Sequence, residues 1–146
     1  KQQAMYVVQN LTERMRSNKE GVQFDAYAVD SNDINCLTPP IQDCSTATAN
    51  CSAQDIATSD IHNIVCGHQA GTASRTGGIK SVAADDILTL VDGRLRVSCA
   101  MPGAMAGNCT TGELSIQVNW SERQIANEPT GAGNEDSLIV NTRIKQ

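Results

Sequence analysis

The chain has 146 residues, with 11 Lys and Arg against 16 Asp and Glu and a formal net charge of -5. That length suits one domain with a real core rather than two, and the acidic balance argues against a nucleic-acid partner or an anionic membrane surface, which need clustered Lys and Arg. No run of about eighteen apolar residues is present to cross a bilayer.

The first predicted element is an amphipathic helix. Ala4, Val7, Val8, Leu11 and Met15 recur every three or four residues, so one stripe faces a core while Gln9, Glu13, Arg14 and Arg16 face outward. The helix should run to about Lys19, with Arg14, Arg16 and Lys19 favourably placed near its C-terminus and Gly21 ending it. No Ser, Thr, Asp or Asn cap precedes Lys1-Gln-Gln-Ala4, which predicts that the helix continues upstream in a longer natural protein. From Gln23 to about Asn50 turn formers replace periodicity, including Asp30-Ser-Asn-Asp33 and Pro39-Pro40, so a long irregular connection is expected. Such a loop needs staples or a purpose.

Ser52 is a good cap, and Ile56, Ile61, Ile64 and Val65 form a partial apolar stripe, predicting a second, shorter helix over about 52–66. Beyond the glycines of 71–78 the pattern turns to strands. Ile87–Val91, Asp92-Gly93 and Arg94–Ser98 read as a hairpin on a two-residue turn. Glu113–Ser121 alternates Leu114, Ile116, Val118 and Trp120 with polar residues, and Ser137–Ile144 is a weaker fourth run. The expected fold is therefore α+β and a single domain over 1–146. An N-terminal helix in 1–20 packs on a four-stranded antiparallel sheet in 81–146, and a long loop over 21–80 carries the second helix.

Aromatic residues make up only 3% of the chain, so the core must come from aliphatic side chains and benefits from cross-links. Six cysteines stand at Cys36, Cys44, Cys51, Cys66, Cys99 and Cys109, without the CxxC pairs of a zinc ribbon or thioredoxin-like centre. Disulfides and an oxidising compartment follow. Cys99 and Cys109 flank a Pro102-Gly103 turn and are expected to pair with each other. A helix between Cys51 and Cys66 would hold those two on the order of 20 Å apart, leaving Cys66 to Cys36 or Cys44, a choice the spacing does not make.

Sites for chemistry are sparse. His62 and His68 fall on different helical faces, which disfavours a zinc pair. Asp85-Asp86 and Glu135-Asp136 lack the Asp-x-Asp-x-Asp-Gly spacing of a calcium loop, and Thr130-Gly-Ala-Gly-Asn134 lacks the strand–helix setting of a phosphate cradle. Asn-x-Ser/Thr triplets at Asn10, Asn50, Asn108 and Asn119 read as background in a Ser/Thr-rich chain. No catalytic set can be assembled, so no enzyme, cofactor or metal is expected.

Val7-Val-Gln-Asn-Leu-Thr-Glu-Arg-Met-Arg-Ser-Asn18, followed by Gly21-Val22 and Tyr27, resembles the segment in which PilV-type minor pilins, of the type IV pilin and pseudopilin superfamily, leave their helix and enter their loop. Cys51–Ile61 with Gly77-Gly78, and Leu114-Ser-Ile-Gln-Val-Asn-Trp120, are similar to later stretches of that family. The resemblance implies a pilin-like fold and a structural role, priming, modifying or capping a type IV pilus through protein contacts. It implies other minor pilins, the major pilin and a tip adhesin as partners. The location would be the periplasmic face of the inner membrane, held through a hydrophobic half-helix upstream, and then the filament. Glu13, Arg14 and Arg16 are the implied subunit contacts. A type II secretion minor pseudopilin, or a secreted adhesion or ligand-binding domain using the long loop and Glu122–Asp136, are the alternatives.

Overall fold

Ala4, Val8, Leu11 and Met15 form the buried stripe of α1 (Gln2–Ser17), with Val7 half-buried beside them, in a computed structural model that describes residues 2–38, 40, 42, 44, 50–67, 78–80, 93–99, 113–121 and 135–144. The helix stops earlier than its periodicity suggests. Asn18 leaves the helical conformation and caps α2 (Lys19–Gln23), its side-chain oxygen accepting the Gly21 N–H at 3.2 Å. Gly21, expected as the terminator, is buried inside this second turn. A Cβ there would lie 2.5 Å from Asn18 Nδ2 and 2.9 Å from the Ala53 carbonyl, so it is lack of space that calls for glycine.

The described first part of the long connection holds more regular structure than its composition suggests. It contributes β1 (Val29–Asp30) and a 3-10 turn over Ser31–Asp33, where the Asp30 carboxylate accepts the Asn32 N–H at 3.0 Å. β1 pairs antiparallel with β2 (Arg94–Cys99), Val29 opposite Val97 and Asp30 opposite Arg96. The expected strand Ile87–Val91 lies outside the described residues; among those described, the neighbour of β2 on this side comes from the loop. Side chains rather than periodicity place it. Fully buried Ser31 accepts the Leu95 N–H at its Oγ, 3.0 Å away, and Arg94 grips the Asp30 carboxylate with both Nε and a terminal nitrogen.

That grip has a pH signature. The Arg94 guanidinium first, and then the Asn32 N–H, hold the Asp30 carboxyl down from 3.8 to about 2. A depressed carboxyl contributes stability that is complete above the ordinary value and is lost as acid takes the pH from 3.8 through about 2. An Asp30→Asn chain should be less stable at neutral pH and lose less further stability over that window. Urea midpoints measured across the acid range would count against the pairing if both chains gave the same slope.

α3 (Ala53–Cys66) begins at a capping box. Ser52 Oγ accepts the Asp55 N–H at 3.2 Å, and the Asp55 carboxylate accepts the Ser52 N–H at 3.0 Å, satisfying donors that a helix start leaves open. Ala57, Ile61, Ile64 and Val65 face the core. At its far end the terminal carbonyls are met by a distant segment: the Ile79 and Lys80 N–H groups donate to the Ile64 and Val65 carbonyls at 3.1 and 2.7 Å. Gly78 permits this crossing, because a Cβ there would sit 2.1 Å from the Gly67 nitrogen.

β3 (Glu113–Ser121) is the spine of the sheet, hydrogen-bonded antiparallel to β2 on one side and to β4 (Glu135–Arg143) on the other, in the order β1-β2-β3-β4. Its alternation is complete. Leu114, Ile116, Val118 and Trp120 are buried under the helices, while Ser115, Gln117 and Asn119 form the opposite face. Leu95, Val97, Leu138 and Val140 extend the inner face sideways, and α1 lies across β3 and β4 with α3 packed beside it.

Candidate interaction surface

With its apolar stripe buried, α1 turns Gln2, Met5, Tyr6, Gln9, Glu13 and Arg16 outward. Two are large apolar side chains left open at one end, Met5 at 49% and Tyr6 at 55% exposure. At the other end Arg16 and Glu13 form an ion pair at 2.7 Å. Such an exposed pair one helical turn apart contributes about 0–1 kcal/mol, so both charges remain available to another surface.

Arg14 does not share that face. Each helical residue turns about 100°, which carries Arg14 round to α3, where its Nη1 donates to Asp60 Oδ1 at 2.6 Å while its Nε donates to Asn10 Oδ1 at 2.7 Å. Of the three charged residues implied as subunit contacts, this one is held by another helix of the chain. Asp60 holds a second donor: the Tyr27 hydroxyl donates to Oδ2 at 2.7 Å and accepts from Asn18 Nδ2 at 3.2 Å. Asn18 Nδ2 also donates to the Ala53 carbonyl at 2.7 Å. Arg14, Asp60, Tyr27 and Asn18 therefore tie α1, the α1–α2 junction, the loop and α3 into one polar brace. Tyr27 is fully buried, and burial, reinforced by the hydrogen bond to Asp60, raises its phenol well above the ordinary range. The brace fixes how α1 sits against α3 and the loop, and so which of its faces is turned outward.

In the sequence Asp60 and Tyr27 have no signal as partners, since they stand 33 residues apart. Tyr27 and Asn18 stand in the stretch that resembles the pilin family, and the resemblance gives them no role.

The cysteines resolve in part. Cys36 bonds to Cys66, with 5.3 Å between their Cα atoms, and Cys44 to Cys51 at 6.1 Å. The first gives Cys66 to Cys36 rather than to Cys44, and the second is a short staple within the long loop, where Cys36, Cys44 and Cys51 are placed to serve. Cys99 is also disulfide-bonded; Cys109, its expected partner, lies outside the described residues.

His62 is buried on α3 and lines a cavity of about 350 Å³ between that helix and the loop, with Val29, Ile34, Asn35 and Ile61 among its walls. His68, Asp85, Asp86, Asn108 and Thr130–Asn134 lie outside the described residues. Among those described, no three His, Cys, Asp or Glu side chains converge to hold a metal, and no helix is long and apolar enough to cross a membrane. Asn10 lies in α1 and Asn119 in β3. No protein-family model, curated protein or solved structure matches the chain.

Proposed function

We propose that the chain is a pilin-like structural subunit, a minor pilin that primes, modifies or caps a bacterial type IV pilus without catalysis. One observation carries this reading. An N-terminal helix has one face buried on an antiparallel sheet and the opposite face, from Met5 to Arg16, left exposed, with the helix tied to α3 by a hydrogen-bonded brace. A helix so mounted can hold its own domain with one face and meet neighbouring subunits with the other. Glu13 and Arg16 offer charge for those contacts and Met5 and Tyr6 offer apolar area. Disulfide cross-links accord with life outside the reducing cytoplasm. The partners on this reading are other minor pilins, the major pilin of the same filament and a tip adhesin.

The test has two arms. The gene should encode, ahead of Lys1, a short charged leader and about twenty apolar residues; an ordinary cleavable secretory signal in their place would favour a secreted adhesion or ligand-binding domain. Glu13→Arg together with Arg16→Glu should weaken co-purification with the other pilins of the same operon about tenfold, equivalent to 1.4 kcal/mol. Unchanged association would remove these two residues from the interface.

A further inference from the structure

β4 is nine residues long, bonded along one edge to β3 from Glu135 to Arg143, and no described residue pairs with its other edge. Long open edges invite another strand, and natural sheets blunt them with Pro, Lys or short length. β4 has none of these and carries its charges only at its two ends, Glu135-Asp136 and Arg143, while its middle sets Ile139 on the polar outer face of the sheet at 58% exposure, opposite Gln117.

The strand is also complementary to itself. Its acidic end is Glu135-Asp136 and its basic end Arg143, and Ile139 stands midway between Glu135 and Arg143. Laid antiparallel on a copy of itself with a twofold axis at Ile139, the strand places Ile139 against the partner's Ile139. Leu138 then meets the partner's Val140, Ser137 the partner's Asn141, and Glu135 the partner's Arg143. Arg143 is held on its own sheet by Glu113 at 3.6 Å and stays 69% exposed, within reach of a second carboxylate. A slip of two residues parts Glu135 from the partner's Arg143 and sets Ile139 against Ser137 in one direction or Asn141 in the other, while a slip of one would oppose core-facing and solvent-facing side chains.

We propose that the β4 edges of two copies of this chain pair antiparallel about Ile139, joining two four-stranded sheets into one continuous eight-stranded sheet. The occupant of the edge is a second copy because charge, apolar contact and register are satisfied together by the strand's own sequence, as an isologous twofold contact requires. The contact covers Ile139 on one face and adds cover to half-buried Leu138 and Val140 on the other. A pairing of two strands is smaller than the roughly 1,600 Å² of a standard stable interface, so the dimer is reversible and follows concentration. The inference is independent of the filament reading: the chain can dimerise whether or not it joins a pilus.

Sedimentation of the intact, oxidised chain from micromolar to millimolar concentration should show a monomer–dimer equilibrium. Ile139→Lys, at an exposed position, should leave the melting temperature of the monomer unchanged and weaken association at least tenfold. Glu135→Arg should also weaken it, and Glu135→Arg with Arg143→Glu should restore it. Amide hydrogen exchange along β4 in the unmodified chain should slow as concentration rises. A chain that stays monomeric at millimolar concentration, or a dimer that Ile139→Lys leaves intact, overturns the proposal, the latter by locating the interface elsewhere.

Discussion

Replacing Cys36 and Cys66 together by Ala should lower the unfolding free energy by about 3–4 kcal/mol, the largest loss expected from any one cross-link described here. The bond closes a segment of 30 residues, and the restriction of the unfolded chain grows with the logarithm of that length. The nested Cys44–Cys51 bond, spanning seven residues, already shortens the loop, which moves the expectation toward the lower end of the range. Removing that smaller bond alone should cost about 2 kcal/mol. There is a local reason for the same order. Cys66 ends α3 where Gly67, Gly78 and the Ile79 and Lys80 N–H groups cross, so its release loosens the helix terminus as well as the loop. Urea unfolding of the two double variants checks the ranking, and equal losses, or the reverse order, would show that the unfolded chain does not govern the effect.

The second large effect is at Asp60. Its carboxylate accepts from Arg14 on one oxygen and from Tyr27 on the other, so Asp60→Ala strands a cation and a fully buried hydroxyl at once. Leaving buried donors unpaired costs about 1–3 kcal/mol each, but Arg14 is partly exposed and recovers some hydration, giving about 2–4 kcal/mol for the pair. Tyr27→Phe alone should cost less, and Asp60→Ala with Tyr27→Phe should cost less than the sum by about 1 kcal/mol. A double-mutant cycle in urea measures this coupling. Strict additivity would mean that the brace does not hold together as a unit.

The same brace predicts an alkaline limb. The raised phenol of Tyr27 keeps its stabilising contribution below the ordinary value of 10.0 and loses it as pH rises beyond, because the unfolded chain ionises first. In a Tyr6→Phe chain, where Tyr27 is the only tyrosine left, phenolate absorbance should appear together with unfolding. Its appearance while the circular dichroism stays native would show that the hydroxyl is accessible.

The elements readable from the chain are those whose cause is local. The stripe Ala4, Val8, Leu11, Met15 repeats with the helical turn, and Leu114 to Trp120 alternates with the pleat, so each announces its buried face without reference to a partner. Ser52 caps α3 through Asp55, three residues away. The candidate surface was half legible on the same ground. Glu13 and Arg16 lie opposite the buried stripe, as periodicity requires, whereas Arg14 stands at the boundary of that face, where a partner on another element decides its direction.

By itself, then, the sequence determined which faces of its regular elements would be buried, where a helix would be capped, and that an oxidised set of cysteines would reinforce an aromatic-poor core. Only the tertiary structure decided that Arg14 would turn to Asp60, 46 residues on, and that Ser31 would hold the Leu95 N–H across 64 residues and bring a loop strand beside β2. It also decided that Cys66 would take Cys36 and that Gly21 and Gly78 would be required by crowding rather than by a turn. Periodicity and capping act over about one helical turn or one pleat, while pairing and close approach depend on what lies alongside in space, where distance along the chain no longer counts.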